Sequence, residues 1–178
     1  MTIAERIARA EIACAPVFEG IDRLELANTK RVLGVFQRHR VAARHFAGSE
    51  GYGYGDIGRD TLEAMVADLF QSEAAIFRPQ IASGTHALSL GLFGLLMPGE
   101  HLLSACGDPY DTLADVIGIN GPVPGSLAEM GVSYGMVPPG ADGGIDVPAV
   151  LGAVRPDTRV LLVQRSRGYA WRDSLLPR

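Results

Sequence analysis

Residues 81–99 read Ile-Ala-Ser-Gly-Thr-His-Ala-Leu-Ser-Leu-Gly-Leu-Phe-Gly-Leu-Leu-Met-Pro-Gly, and this run constrains the fold more than any other. It opens on small polar residues and a glycine, continues through an apolar segment and ends at Pro98-Gly99, which predicts a loop, a buried helix and a stop. A helix leaves the amides of its first turn without partners and carries about half a positive charge there. A Ser83-Gly84-Thr85 start, free of bulky side chains, therefore leaves room for an anion, most often a phosphate. The plainer reading of the same residues is a cap, with Ser83 accepting an amide hydrogen from one turn further on.

The segments after this run alternate. Leu102–Ala105 predicts a buried strand, Cys106–Tyr110 a turn carrying an aromatic ring, and Asp111–Ile117 a helix. A loop over Asn120–Gly125 precedes a strand over Val132–Val137; Asp146 caps a helix to about Val154, and Arg159–Gln164 is the best strand pattern in the chain. Helices alternating with short apolar strands predict a mostly parallel α/β sheet with ligands at the carboxyl ends of its strands.

Ahead of it, Thr2 and Glu5 have capping-box spacing and predict a short helix that Pro16 ends. Residues 22–46 predict a long or broken amphipathic helix, interrupted by Asn28-Thr29 and Gly34. Asp60 with Glu63 forms a second capping box, followed by Leu62, Met65, Val66, Leu69 and Phe70 at helical spacing, and Ala74–Phe77 predicts a short strand. Residues 47–59 hold five glycines and two tyrosines, where backbone must bend sharply or approach something closely. Within them Gly53-Tyr-Gly-Asp-Ile-Gly58 spells the dinucleotide pattern G-x-G-x-x-G, but no apolar strand precedes it and no acidic residue closes the following one. The division expected is 1–46 helical, 47–59 a Gly/Tyr-rich loop and 60–178 the start of an α/β domain.

A net charge of −4 and a single basic cluster, Arg38 to His45, read as a solvated helix face, exclude a phosphate-tracking nucleic-acid surface. Cys14 and Cys106, far apart and without a secretory leader before them, read as free thiols in a reducing compartment, so a soluble cytoplasmic protein is expected. The apolar run Ala87–Met97 is too short to cross a bilayer that needs about 20 residues. No metal-ligand spacing occurs; His86 reads as packed on the central helix and Cys106 as a small buried group.

A phosphate cradle at one strand end with Tyr110 at the next suits a flat phosphorylated ring, and pyridoxal 5′-phosphate fits that description. Five segments in order, Gly51–Asp60, Phe77–Leu88, Pro98-Gly99, Gly107–Leu113 and Gln164–Tyr169, resemble the methionine gamma-lyase-like, aluminium-resistance family of pyridoxal-phosphate proteins over nearly the whole chain. The resemblance, to the cystathionine gamma-synthase group, implies an aspartate-aminotransferase-type fold (fold type I) with active sites at a dimer interface in homodimers or tetramers. It also implies elimination from a sulfur amino acid after removal of its α-proton. By the same resemblance Ser83, Gly84 and Thr85 grip the cofactor phosphate, and Tyr110 stacks on the pyridine ring. Tyr54, or its rival Tyr52, reaches the phosphate of a neighbouring subunit, and Gln164, Arg165 and Ser166 end a strand at the ring edge.

Members of the family continue for about as long again, and the resemblance puts the lysine that holds the cofactor and the acid that pairs its ring nitrogen in that further length. No catalytic residue is therefore assigned here, because Lys30, the one lysine, reads as a solvated helix residue. The expectation is the amino-terminal part of such a lyase, inactive alone and exposing apolar edges. The alternatives are a non-catalytic remnant or dimerisation module of the same fold, and a nucleotide-binding domain resting on Gly53 to Gly58.

Overall fold

The computed structural model describes residues 1–49, 55–121, 123–166, 168, 171 and 173–175, and the chain forms two compact units, 1–80 and 81–178.

In the first unit the predicted capping box at Thr2 and Glu5 opens α1, Ile3–Arg38. This helix runs through Pro16, Asn28-Thr29 and Gly34, where the sequence predicted a stop and interruptions. Proline removes one ladder bond and costs about 3 kcal/mol in a helix interior. Here the surrounding residues are exposed, so the Ile12 carbonyl that loses its partner is open to solvent while the flanking turns propagate. A 3-10 turn follows at Ala43–Phe46, and α2 spans Ile57–Phe70.

The cap of α2 is Asp56, whose carboxylate accepts from the Arg59 amide at 3.0 Å, and not the predicted Asp60. Glu63, the expected partner of Asp60, instead holds Arg78 (2.6 and 3.1 Å) and the Phe77 amide (3.2 Å). The strand predicted at Ala74–Phe77 is absent: the segment has no neighbouring strand to pair with, and Ile76 and Phe77 stay exposed. Val35 is buried where α1 meets α2, and the basic cluster is only partly solvated, since Arg38 and His39 both bond Asp68, at 3.0 and 3.1 Å. Gly58 is a close approach of backbones, because a Cβ there would lie 2.5 Å from the His45 carbonyl oxygen.

In the second unit α3 (Gly84–Leu95), β1 (His101–Ser104), α4 (Asp111–Ile117), β2 (Ser133–Met136), α5 (Val147–Ala153) and β3 (Thr158–Leu162) alternate as the sequence predicts. The sheet is parallel in the order β2-β1-β3, with His101 opposite Ser133 and Thr158. From β1 the chain steps to one side and then crosses back to the other. Right-handed crossovers then require α4 and α5 on opposite faces. The packing agrees: Leu102 joins Leu92, Leu113, Ile117 and Leu127 on one face, while Leu103 joins Ala105, Val137 and Val150 on the other. Every residue of central β1 is buried. The α3 helix is less buried than its composition predicts, since one stripe faces the core and Leu88, Leu90 and Leu95 remain exposed. Among the described residues no helix is long and apolar enough to cross a membrane, and no cluster of three His, Cys, Asp or Glu suits a metal ion.

His101 is 2 % exposed, and its Nδ1 lies 2.8 Å from Thr158 Oγ1. Its ring presses on β2, where a Cβ on Gly135 would come within 2.7 Å of Nε2. Burial, with nearby Arg155 adding and Asp157 opposing, lowers its proton affinity below the ordinary 6.5. Above that pH both folded and unfolded chains hold a neutral ring. Below it the unfolded chain takes up a proton that the folded chain refuses, so stability falls on acidification. Urea midpoints are expected to drop between pH 7.5 and pH 5.5, and less steeply in His101→Gln; equal slopes would contradict this account.

Candidate cofactor site

The chain leaving β1 is fixed residue by residue. Ser104 Oγ donates to the Gly107 carbonyl at 2.6 Å, and the Gly107 amide donates to Val137 O at 2.8 Å. Gly107 has φ +79°, a turn that glycine adopts without strain. The Tyr134 hydroxyl, from β2, donates to Asp108 Oδ1 at 2.8 Å, and Pro109 is buried. The Tyr110 amide donates to Gln164 Oε1 at 3.2 Å, beyond the end of β3. Its phenol shares a 3.2 Å hydrogen bond with Thr85 Oγ1, which also lies 3.3 Å from Thr112 Oγ1.

The start of α3 thus meets the loop after β1 and the segment after β3. Ser83 Oγ accepts from the His86 amide at 3.1 Å, so it is the cap that the plainer reading expected. Capping leaves the Gly84 and Thr85 amides without an acceptor among the described residues, and the first turn of α3 carries no acidic side chain. Around Gly84 there is room, with no heavy atom within 4 Å of where a Cβ would stand.

Of the residues expected at the site, Ser83, Gly84, Thr85, Tyr110, Gln164 and Ser166 come together in this unit. Gln164 and Ser166 sit in the segment beyond β3 rather than on it, because the strand ends at Leu162; Gln164 Nε2 donates to Ser166 O at 3.1 Å. Arg165 turns to the Leu175 carbonyl, at 3.1 Å. Tyr52 and Tyr54 lie outside the described residues. Lys30 is exposed on α1, as expected of a solvated residue. His86 is exposed rather than packed, its ring accepting from the Ala82 amide at 3.3 Å, and Cys106 is buried, as expected. Both cysteines are free thiols.

The sequence reading assigned no role to Thr112, Tyr134 or Gly168. Gly168 packs against the site with φ +56°, a Cβ there standing 3.2 Å from Gln164 Nε2 and 3.7 Å from Tyr110 Cβ. The alternative dinucleotide reading is not supported. Residues 43–46 form a 3-10 turn rather than a strand, and the Asp56 carboxylate takes the Arg59 amide that a phosphate would need. A separate cleft of about 300 Å³ in the first unit is lined by Phe36, His45, Asp56, Arg59, Leu62 and Met65.

The sequence profile of the family described as methionine gamma-lyase matches residues 3–177. The uncharacterised protein YnbB of Bacillus subtilis is 47 % identical over 167 residues, which is 93 % of this chain and 40 % of YnbB. A solved structure from Listeria innocua, described as a candidate cystathionine beta-lyase involved in aluminium resistance, is 44 % identical with a TM-score of 0.90 over 98 % of this chain and 43 % of its own. A carbon-sulfur lyase involved in aluminium resistance from Clostridium novyi is 41 % identical with a TM-score of 0.88, over 95 % and 40 %. The chain therefore spans about two fifths of the length of these relatives.

Proposed function

Because the chain belongs to the methionine gamma-lyase family, we propose that residues 81–178 form the phosphate-gripping and ring-stacking part of a pyridoxal-phosphate-dependent carbon–sulfur lyase of fold type I. The substrate class proposed is a sulfur amino acid, the assembly a cytoplasmic homodimer or tetramer, and the setting is that of the aluminium-resistance relatives. One observation carries the reading. The amide-bearing start of α3 and the ring of Tyr110 meet through the Thr85 hydroxyl, with Gln164 holding the Tyr110 backbone from the other side.

The residues fit the group. The bare amides of Gly84 and Thr85 suit a phosphate dianion, and the open space at Gly84 is room that any side chain would fill. Tyr110, half-buried and tied at both its amide and its phenol, is an aromatic face whose orientation is fixed before a ring arrives. Gln164 and Ser166 are proposed to stand at the edge of such a ring. Tyr54, or Tyr52, is proposed to reach the phosphate from a neighbouring subunit.

When bound, pyridoxal phosphate supplies the electron sink that makes an amino-acid α-proton removable ahead of carbon–sulfur cleavage. This chain's share is to bind the phosphate, orient the ring and exclude water from one of its faces. The lysine that anchors the cofactor is assigned to the remaining length of the full-size relatives, so turnover is proposed for the full-length form.

The test is calorimetric titration of the chain with pyridoxal 5′-phosphate and, separately, with inorganic phosphate. Saturable binding of both is expected. Tyr110→Leu should weaken the first about tenfold and leave the second unchanged. Absence of saturable binding, or equal affinities for pyridoxal phosphate in the two proteins, would overturn the reading.

A further inference from the structure

We propose that Tyr134 is a positioning residue for the stacking tyrosine: its hydroxyl, acting through Asp108, fixes the loop that presents Tyr110. This rests on the reading of the site given above. The segment Gly107–Tyr110 is separated from the end of β1 by Ala105 and Cys106 and contains a positive-φ glycine, so its backbone is free to swing unless held. Its anchors at Gly107 come from the backbone of Val137 and from Ser104, the last residue of β1 itself. Asp108 is held from another strand, by the Tyr134 hydroxyl at 2.8 Å, two residues before the ring that must lie flat.

Tyr134 is built for this. It stands on β2 opposite Leu102, its ring packs against the core that contains Leu102 and Ile117, and its hydroxyl reaches the loop at Asp108. A hydrogen bond to a carboxylate is among the stronger ones a side chain makes, and Asp108 itself is exposed. Without the phenol, water would take the donor's place and Asp108 would lose its tie to β2. Burial and the neighbouring Asp108 raise the Tyr134 pKa above the ordinary phenol value, so the group remains a donor throughout the neutral range.

Tyr134→Phe removes the hydroxyl and keeps the ring in the core, and Asp108→Ala removes the acceptor from the surface. Titrations with pyridoxal 5′-phosphate and with inorganic phosphate are compared for both variants, for the double variant and for Asp108→Asn, which retains an acceptor oxygen. The expected result is a loss of about tenfold in pyridoxal phosphate affinity for each single variant. The double variant should lose no more than either, Asp108→Asn should keep most of the affinity, and phosphate binding should be unchanged throughout. Unchanged phosphate binding also shows that the variants are folded.

Wild-type affinity in Tyr134→Phe, losses that multiply in the double variant, or phosphate binding that falls in parallel would each overturn the proposal alone. A parent chain that binds neither probe, or phosphate but not pyridoxal phosphate, would overturn the reading of the site and this proposal with it.

Discussion

Gly84→Asp is expected to weaken phosphate-directed binding about a hundredfold while leaving the protein at least as stable as before. The position has an ordinary backbone and open space around its missing Cβ, so a side chain enters without collision. A carboxylate in the first turn of a helix is favourable, by about 0.3–1 kcal/mol. That same carboxylate stands where the Gly84 and Thr85 amides would meet a phosphate, and a like charge brought into contact costs several kcal/mol. A loss near 3 kcal/mol corresponds to about a hundredfold in affinity for pyridoxal 5′-phosphate. Calorimetry and urea unfolding on the same sample read the two effects together. If α3 were only a capped core helix, the stability gain would appear without any binding to lose.

The second large effect is on folding. Gly118 ends α4 in the left-handed region, φ +83°, and a Cβ there would stand 2.8 Å from both Ala128 Cβ and Ser126 Oγ. Ser126 is buried, and its hydroxyl accepts from the Val123 and Glu129 amides, each at 3.2 Å. The next two amides, of Leu127 and Ala128, bond the last turn of α4. Gly118→Ala therefore adds left-handed strain, about 1–2 kcal/mol, to an overlap worth about 1–3 kcal/mol in a packed site. A loss of about 3 kcal/mol is expected. Gly91→Ala is the control: it lies mid-helix in α3 with nothing within 4 Å of the new atom, and should gain up to about 1 kcal/mol. Denaturant unfolding of the two variants should separate in opposite directions from the parent, and a Gly118→Ala midpoint equal to the parent would refute the packing described.

The second unit was largely legible because its elements are short and bounded by residues with one conformational meaning. Asp146 caps α5, Gly118 closes α4, and Pro98-Gly99 turns the chain into β1. The first unit was less so. Pro16 costs one hydrogen bond in an exposed helix, and turns on both sides outweigh it. Ala74–Phe77 has strand composition but no strand beside it, and a ladder needs two sides. At the site, residue types and spacing pointed to the start of α3 and to Tyr110, and the family resemblance pointed to Gln164. Which of them touch depends on pairing across 25 and 54 residues of sequence. For the same reason Tyr134 and Thr112 went unassigned: each acts through a partner brought near only by the sheet or by the packing of α3 on α4.

The most direct test of the central claim is the amide spectrum of isotope-labelled chain during titration with pyridoxal 5′-phosphate. The account predicts that the Gly84 and Thr85 amide resonances move most and saturate together with that of Tyr110. Saturating shifts elsewhere in the chain, with these three stationary, would contradict it.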